Sequence, residues 1–402
     1  MLKVNEALER IYNRAKPLGT IEVPISMSLG FVLAKDIHAK FDLPPFDQSA
    51  VDGYAAGSHG FKFKVLKGDI KAGDIHDMEI SGDQAVKIFT GAKIPKGTYA
   101  VIPKENAILR DGYIEVNKVF KKGDNIRLKG EDVKKGDLVI KSGTLITPPI
   151  IGVLASLGYS SVKVYKKPSV AVITTGNELV DIGEKIEETK IVDSNYYQIS
   201  AMLEGWGIKV SYRERVPDDP EKLMIAISKA LEHSNIVITV GGVSVGDYDF
   251  VKDVVKKLGI RKDFWQVLQK PGKPLFFGVK GRKLFFGLPG NPVAVSVCMY
   301  IYVRAAIRKM MGLNGNVFED FVYAIISEDI QKGPQRLEFI RGYMYYPKDR
   351  KYLPVVKPIH KRGSHMLSSL INSNALILAE ENISHIEHCE EVKVLPLRWF
   401  EI

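Results

Sequence analysis

The feature that most limits how this chain can fold is an alternation of apolar strands and helices from residue 168 to about residue 311. Runs such as "SVAVITTG" and "NIVITV" are typical of buried strands, and segments with helical spacing separate them. Strands that alternate with helices of ten to fifteen residues predict a parallel α/β sheet. The last helix, from about Pro292 to Met311, follows the turn "GLPGNP". We therefore expect an α/β domain over residues 167–314.

The segments on either side of this domain have a different pattern. Val4, Ala7, Leu8 and Ile11 recur at helical spacing and predict an opening helix, and "TPPIIGVLASLG" predicts a second one. Short strands separated by glycine turns lie between the two helices and predict a small β module. If the two helices pack together, this module is an insertion between two parts of one helical domain. Strands resume beyond residue 315. The expected fold is multidomain α/β plus β, with a helical N-terminal domain at 1–40 and 126–166, an inserted β domain at 41–125 and a barrel-like C-terminal β domain at 315–402.

Composition narrows the classes of function. The 402 residues carry a formal net charge of +10, but the basic side chains are spread along the chain, which suits a small anionic ligand at least as well as nucleic acid. The two cysteines, Cys298 and Cys389, are too far apart in sequence to indicate a disulfide framework. The chain has no apolar run of the ~20 residues that a membrane span needs, so we expect a cytoplasmic protein without a membrane partner. Because the basic residues are not clustered, we also expect no nucleic-acid partner.

One glycine loop permits two interpretations. Residues 242–246, "GVSVG", fit the G-x-S-x-G pattern of serine hydrolases, whose serine lies on a turn that leads directly into a helix. Here the helical pattern begins several residues later, and no histidine is clearly placed, which disfavours Ser244 as a nucleophile. The alternative is an anion-binding loop, in which Gly241, Gly242 and Gly246 let the backbone approach a phosphate.

Three carboxylates follow predicted strands of the same sheet: Glu178, Asp218 and Asp249. Ligands of open α/β sheets bind at the carboxyl ends of the strands, so acids that converge beside a phosphate loop predict Mg²⁺ held between protein and phosphates. The alternative is that these acids cap helices. For Asp218, which directly precedes "DPEKL", both interpretations stay open.

A lysine-bearing loop comes next. In "QKPGKP", Lys270 and Lys273 lie on a segment stiffened by proline, and two ammonium groups held there suit an oxyanion. As a surface turn with solvated lysines the same segment has no function. The turn "GLPGNP" precedes a helix whose first N–H groups would face the same site.

These segments occur together in one known order. "PPFDQSAVDGYA", "TGAKIP", "NIRLKGED", "TTGNEL", "GGVSVGDYD", "KPGKP", "GLPGNPV", "RLEFIRG" and "GSHMLSS" follow one another along the chain. In this order the chain resembles the molybdopterin molybdenumtransferases, the family that includes bacterial MoeA and the E domain of gephyrin. "TTGNEL" and "GGVSVGD" also occur in molybdopterin adenylyltransferases and in competence-damage-type hydrolases. "DQSAVDGYA" and "RLEFIRG" separate the chain from those shorter relatives.

The resemblance implies a four-domain homodimer whose active site lies between the α/β domain of one subunit and the β module of the other. It also implies the reaction: adenylylated molybdopterin and molybdate give the molybdenum cofactor and AMP, with Mg²⁺ as the metal. Related partners would be a molybdopterin adenylyltransferase and the molybdenum or tungsten enzymes that receive the cofactor. One alternative is a scaffold protein of the gephyrin type without catalysis. The other is an enzyme of a different activity, the adenylylation of molybdopterin.

Matching the motifs residue by residue assigns expected roles. The partner subunit's contributions are expected from Asp52, Thr90, Arg127 and Asp132. The carboxylates expected to bind the metal ion and the pyrophosphate are those of Glu178, Asp218 and Asp249. The groups expected to bind the pterin, its phosphates or the oxyanion are Thr175, Gly176, Gly241, Gly242, Ser244, Gly246, Lys270, Lys273, Pro289, Pro292, Arg336, Arg341 and Ser364. For Asp52, the structural alternative is an aspartate that fixes its own turn to Gly53.

The chain departs from the family at two positions. Gln266 stands where many relatives have lysine, four residues before Lys270, and Asn177 stands where aspartate is frequent. A missing cation puts the identity of the oxyanion in question. The chain contains only seven glutamines, which is a weak sign of a high-temperature source. From this sign together with Gln266 we hypothesise that the protein uses tungstate instead of molybdate.

A last cluster resembles a set of metal ligands. His385, His388 and Cys389 lie close together near the C-terminus, but no fourth ligand is evident in the sequence. Since structural zinc sites normally have four ligands, we interpret this segment as a surface turn.

Overall fold

The computed structural model describes residues 1–242, 250–313, 320–333, 335–348 and 353–400 of the chain. The first elements are α1 (Val4–Arg14), β1 (Thr20–Pro24) and β2 (Ile37–His38). The β module follows as β3 (Gln48–Ser49), β4 (Gly53–Ala56), β5 (Lys62–Ile70), β6 (Gln84–Ile88), β7 (Ala100–Pro103), β8 (Ala107–Arg110), β9 (Tyr113–Val116) and β10 (Ile126–Arg127). The chain then returns through β11 (Leu138–Ile140), α2 (Pro148–Ser156) and β12 (Ser161–Tyr165).

The β module interrupts a small body built from two chain segments. Strand β1 pairs antiparallel with β12, and β2 with β11, so the segments before and after the module pack together. This body contains α2 and two short antiparallel sheets and is therefore less helical than expected. Within the module, strands β4 to β9 form a six-stranded sheet, and β3 pairs with β10.

Helix α1 does not pack beside α2, an arrangement that the sequence left open. The apolar face of α1, with Val4, Leu8 and Ile11, is buried in the core of the α/β domain, whereas α2 packs in the separate core of the small body. The core of the α/β domain contains many more buried apolar residues than that of the small body, and packing against it removes the apolar face of α1 from water. The opening helix therefore belongs with the α/β domain.

The α/β domain contains most of the predicted alternation. Its elements are β13 (Val170–Thr175), β14 (Leu179–Val180), β15 (Ile191–Val192), α3 (Ser194–Gly205), β16 (Val210–Val216), α4 (Pro220–His233), β17 (Ile236–Val240), α5 (Phe250–Lys257), β18 (Arg261–Trp265), β19 (Gln269–Lys270), β20 (Phe276–Lys280), β21 (Lys283–Leu288), α6 (Pro292–Cys298) and α7 (Arg304–Met310). A π-helical turn, Met299–Val303, joins α6 to α7.

The main sheet of this domain is mixed. Its order is β16-β13-β17-β21-β20-β18, and the first four strands are parallel, as expected. Strands β20 and β21 are antiparallel because only Gly281 and Arg282 connect them, and a parallel pair needs a long crossover. Helices α3, α6 and α7 pack on one face and α4 and α5 on the other. The carboxyl ends of β13 and β17 therefore open at one edge of a fully covered sheet.

The C-terminal region is a barrel, as expected. Its strands are β22 (Val322–Ile326), β23 (Ile330–Gln331), β24 (Leu337–Tyr345), β25 (Val355–Pro358), β26 (Ala375–Ala379), β27 (His385–Ile386) and β28 (Glu391–Pro396). Five of them close in the order β24-β25-β22-β28-β26, with β26 paired back to β24. Strand β19 joins this sheet beside β24 and connects the lysine loop to the barrel. No helix in the described ranges is long and apolar enough to cross a bilayer.

Candidate functional site

A cavity of about 350 Å³ lies at the carboxyl ends of β13 and β17. Parallel strands of an open sheet present their ligand sites at this edge. The start of α3, the turn before α6 and a segment of the C-terminal region complete its walls. Of the residues assigned from the sequence, Thr175, Glu178, Gly241 and Pro292 line it, and Pro289 lies in the adjacent turn.

The glycine loop packs directly onto the end of β13. Gly241 has a φ of +94°, and a Cβ atom at this position would lie 2.5 Å from the carbonyl oxygen of Thr175. A residue with a side chain would therefore be strained and would also collide with the neighbouring backbone. The bare backbone leaves room for a ligand against Thr175. Ser244, Gly246 and Asp249, which the sequence assigns to the same loop, lie outside the described residues.

Asp218 binds the end of β13 and does not cap α4. Its carboxylate accepts hydrogen bonds from Thr175 Oγ1 at 2.9 Å and from the backbone N–H of Asn177 at 3.3 Å. The helix cap is the next residue, Asp219, which accepts from the N–H groups of Glu221 and Lys222. The capping alternative for Asp218 is therefore wrong. Asn177 completes the turn, since its Oδ1 accepts from the N–H of Asp218 at 3.2 Å.

Glu178 lies on the other side of the same turn. Its carboxylate is folded back over Gly176, where a Cβ atom would lie 2.5 Å from Glu178 Oε2. The side chain is exposed and faces the cavity. Thr175, Glu178 and Asp218 thus gather around the three-residue turn 176–178 at the open edge of the sheet.

The described part of this site fits a Mg²⁺ that binds together with phosphates. Glu178 and Asp218 supply carboxylate oxygens only, which suit a hard cation. Within the described ranges no group of three or more His, Cys, Asp and Glu side chains is arranged to hold a metal ion by itself. Mg²⁺ commonly uses one or two protein carboxylates, with phosphate and water oxygens completing its coordination.

The lysine loop carries a cation that already has a partner. Lys270 Nζ lies 3.1 Å from Glu338 Oε1, and Glu338 is only 4% exposed. Lys270, Glu338, Arg341 and Arg362 surround a small depression next to this ion pair. Lys273 is fixed through its backbone, because its carbonyl oxygen accepts from the N–H of Val267 at 3.0 Å. An anion arriving here meets several cations and one buried carboxylate.

Arg341 and Ser364 hold a loop of the C-terminal region against the cavity. The Arg341 guanidinium is 3% exposed and donates to the carbonyl oxygens of Lys361 and Gly363, and burial lowers its pKa. Ser364 Oγ accepts from Asn291 Nδ2 at 3.0 Å, and its carbonyl oxygen accepts from the N–H of Val293. Arg341 thus connects this loop to β24, and Ser364 connects it to the turn before α6 and to the start of that helix. Arg336 is exposed.

The four residues assigned to the partner's contribution lie around the β module. Asp52 Oδ1 accepts from the backbone N–H of Thr90 at 2.9 Å and from its hydroxyl at 2.7 Å. These two hydrogen bonds, the backbone one first, lower the pKa of Asp52. Asp52 therefore joins two turns of the module. The structural alternative, in which Asp52 fixes only its own turn to Gly53, does not account for the bonds to Thr90. Arg127 and Asp132 are both exposed.

The structure adds residues that the sequence did not single out. Asn195 and His365 line the cavity, and Lys332 is buried beside the lysine loop. Asn195 Nδ2 donates to Gly290 O at 2.7 Å, while its Oδ1 is buried without a hydrogen-bond partner among the described residues. Lys332 Nζ donates to Arg336 O at 3.0 Å, and burial lowers its pKa. The motifs "DSN" and "GSH" contain the first two, but nothing in their spacing indicates a shared cavity.

The segment near the C-terminus with two histidines and a cysteine is a surface turn, as expected. His385 begins the two-residue strand β27 and is exposed, and Cys389 is exposed with a φ of 71°. The backbone N–H of His388 donates to Asp329 Oδ1 at 2.7 Å, which fixes the turn.

Comparison with known proteins gives a consistent result over the length of the chain. The family model of the MoeA N-terminal region (domain I and II) matches residues 2–158. That of a probable molybdopterin binding domain matches residues 171–309, and that of the MoeA C-terminal region (domain IV) matches residues 323–397.

Whole-chain relatives agree. A molybdopterin molybdenumtransferase of Haemophilus influenzae is 35% identical over 401 residues, which are 98% of each chain. One of Staphylococcus aureus is 38% identical over 350 residues, 85% of this chain and 83% of its own. A solved molybdopterin biosynthesis MoeA protein of Pyrococcus horikoshii OT3 has a TM-score of 0.83 at 32% identity, with 98% of this chain and 99% of its own covered. The chain therefore belongs to the molybdopterin molybdenumtransferases, the transferases of molybdenum cofactor biosynthesis.

Proposed function

We propose that this transferase converts adenylylated molybdopterin and molybdate into the molybdenum cofactor and AMP. The observation that carries the proposal is the group of Thr175, Glu178 and Asp218 around one turn at the edge of the cavity. Two carboxylates beside a glycine backbone at strand ends suit a metal-bound phosphoanhydride. In this reaction AMP is the leaving group.

The residues of the cavity have separate tasks in this proposal. The bare backbone of Gly241 and Gly242 leaves room for the phosphates beside Thr175, and the Thr175 hydroxyl holds Asp218 in place. Glu178 and Asp218, with Asp249 from the same predicted loop, would hold Mg²⁺. When bound, Mg²⁺ neutralises negative charge that develops on the phosphate oxygens. The protein itself chiefly orients the reacting groups, which is the main contribution of a site to displacement at phosphorus.

The oxyanion is assigned to the lysine loop. Lys270 and Lys273 bring positive charge, and Arg336, Arg341 and Ser364 lie on the neighbouring C-terminal segments. Lys270, Arg341 and Arg362 lie together around one small depression, and this concentration of positive charge supports the assignment. Glu338 keeps Lys270 ordered before an anion binds and then competes with the anion for its ammonium group.

Asp52, Thr90, Arg127 and Asp132 are assigned to the active site of a second subunit. Asp52 and Thr90 form a preorganised pair on the β module, and neither lines the cavity at the strand ends of its own chain. A homodimer with shared sites gives such a pair a ligand to act on. We also propose that the protein is cytoplasmic. A molybdopterin adenylyltransferase would supply its substrate, and molybdenum or tungsten enzymes would receive its product.

Tungstate as the oxyanion is a finer proposal that rests on Gln266 and the low glutamine content. The Gln266 backbone donates to Leu275 O at 3.0 Å and accepts from the N–H of Leu2. Tight, selective binding of molybdate over tungstate by the purified protein would exclude it.

The test is to follow AMP release by purified protein from adenylylated molybdopterin and Mg²⁺, with molybdate or tungstate added separately. We expect release that depends on the oxyanion, that Asp218→Asn abolishes and that Lys270→Ala weakens at low oxyanion concentration. Lys280→Ala, an exposed lysine of the same domain, is the matched control and should retain full activity. Tight pterin binding without AMP release would favour the scaffold alternative.

A further inference from the structure

Gln269 is a buried polar residue directly beneath the lysine loop. It is 0% exposed and precedes Lys270 in the two-residue strand β19. Because successive residues of a strand point to opposite faces, Gln269 faces the interior where Lys270 faces the anion depression. An amide buried without hydrogen bonds is costly, so the partners of Gln269 are informative.

The two ends of the Gln269 amide bind different parts of the molecule. Its Nε2 donates to the carbonyl oxygens of Pro271 at 3.0 Å and Gly272 at 3.3 Å, both within the lysine loop. Its Oε1 accepts from the hydroxyl of Tyr302. The orientation of the amide is thereby fixed, since exchanging the two ends would place its oxygen against two carbonyl oxygens.

Tyr302 comes from the π-helical turn between α6 and α7. Such a turn adds a residue to the helix and changes the direction of its side chains, and it often marks a functional position. Tyr302 is 0% exposed, and burial raises the pKa of its hydroxyl well above the usual range, so the hydroxyl keeps the proton that it donates. The long helix thus supplies a fixed donor to Gln269.

The lysine loop fits closely over this pair. Gly272 has a φ of +88°, and a Cβ atom there would lie 2.8 Å from Gln269 Nε2 and 2.7 Å from Cys298 Sγ. The loop backbone is therefore in contact with the amide as well as hydrogen-bonded to it. The two lysines lie on either side of this contact.

We propose that Gln269 and Tyr302 are positioning residues that fix the loop of Lys270 to Lys273 for the oxyanion. This inference rests on the role proposed above for these lysines. Without the bonds of Gln269, the loop is still held where β19 pairs with β24 and at Lys273 O, but the separation of the two ammonium groups is less firmly set before the anion binds. Preorganised cations bind an anion more tightly because less order is lost on binding.

The test uses Tyr302→Phe, which removes only the hydroxyl, and measures AMP release against oxyanion concentration at saturating pterin. We expect the oxyanion concentration for half-maximal rate to rise about fivefold, the size of one net hydrogen bond, with kcat and pterin affinity near those of the wild type. The matched control is Tyr300→Phe in the same turn. The Tyr300 hydroxyl bonds Pro396 O at 3.1 Å and the N–H of Arg398 at 2.7 Å, remote from the lysine loop.

The double variant Tyr302→Phe with Gln269→Met separates positioning from general stability. Replacing both removes the unpaired amide oxygen that Tyr302→Phe leaves, but it also takes the donor from Pro271 O and Gly272 O, so the melting temperature should recover only in part. We expect the raised oxyanion requirement to persist, and this variant also carries the test if Tyr302→Phe folds poorly. A return to the wild-type oxyanion requirement together with stability would overturn the inference, as would an equal effect of Tyr300→Phe. If the wild type itself showed no oxyanion-dependent release, the proposed function would fall first.

Discussion

At the scale of single residues, the two carboxylates of "VPDDPEK" have different roles although they are adjacent. Both Asp218 and Asp219 precede a helix, and the sequence alone permits either to cap it. The structure separates them because Asp219 reaches the N–H groups of α4, whereas Asp218 turns back to Thr175 and Asn177. Residue type and spacing single out both acids, but the division of roles between them depends on backbone direction.

Glu338→Gln tests the competition for Lys270. Gln is nearly isosteric but has no charge, so it leaves the Lys270 ammonium available to an anion. We expect the oxyanion concentration for half-maximal AMP release to fall several-fold, as measured in the same assay. A rise would mean that Glu338 serves mainly to align Lys270.

Tyr197→Phe tests a cluster that anchors the segment leading into the cavity. The Tyr197 hydroxyl and then Arg213 lower the pKa of Asp181 to about 2. A group with a lowered folded pKa stabilises the fold above its unfolded pKa and loses that contribution as pH falls toward the folded value. Without the hydroxyl we expect the pKa of Asp181 to rise toward 3.8 and acid unfolding to begin at higher pH.

Carboxyl resonances followed by NMR and circular dichroism between about pH 5 and pH 2 would measure both effects. An unchanged Asp181 titration would show that Arg213 alone holds the carboxylate.

At the scale of elements, the periodicity of the sequence predicted the α/β units, but not the strands that follow Gly259. "PLFFG" and "KLFFG" are apolar runs too short to assign a direction. Their antiparallel pairing follows from the two-residue connection Gly281-Arg282, which only the backbone reveals. The placement of α1 was missed for a related reason, since an amphipathic pattern shows that a face is buried and does not show against what.

The glycine loop gives the sharpest test at this scale. Gly241→Ala places a methyl group against Thr175 O and strains a left-handed backbone, whereas Gly259→Ala at φ +70° meets nothing within 4 Å. Both substitutions destabilise the fold by about 1 kcal/mol because they force a side chain into the left-handed region. Only the first fills the space beside Thr175 that we assign to the phosphates, which we call the cradle. We expect Gly241→Ala to lower pterin affinity at least tenfold by calorimetry. Equal pterin affinities for the two variants would contradict the cradle.

At the scale of the whole molecule, residues assigned to one active site lie in separate parts of the described chain. Thr175 and Glu178 line the cavity and Asp218 bonds to Thr175, while Asp52 and Thr90 bond to each other on the β module. The order of motifs in the sequence identified the family. Which residues would meet across the subunits of the proposed dimer does not follow from a single chain, since the sequence contains no record of intermolecular contacts.

The most direct measurement is complementation between two inactive variants, Asp52→Ala and Glu178→Ala. Each is expected to be inactive alone. If every active site combines the α/β domain of one subunit with the β module of the other, a purified heterodimer has one intact site and one doubly altered site. We predict oxyanion-dependent AMP release at about half the wild-type rate per dimer. A heterodimer as inactive as either parent would place both groups in sites of a single subunit and contradict the shared-site account.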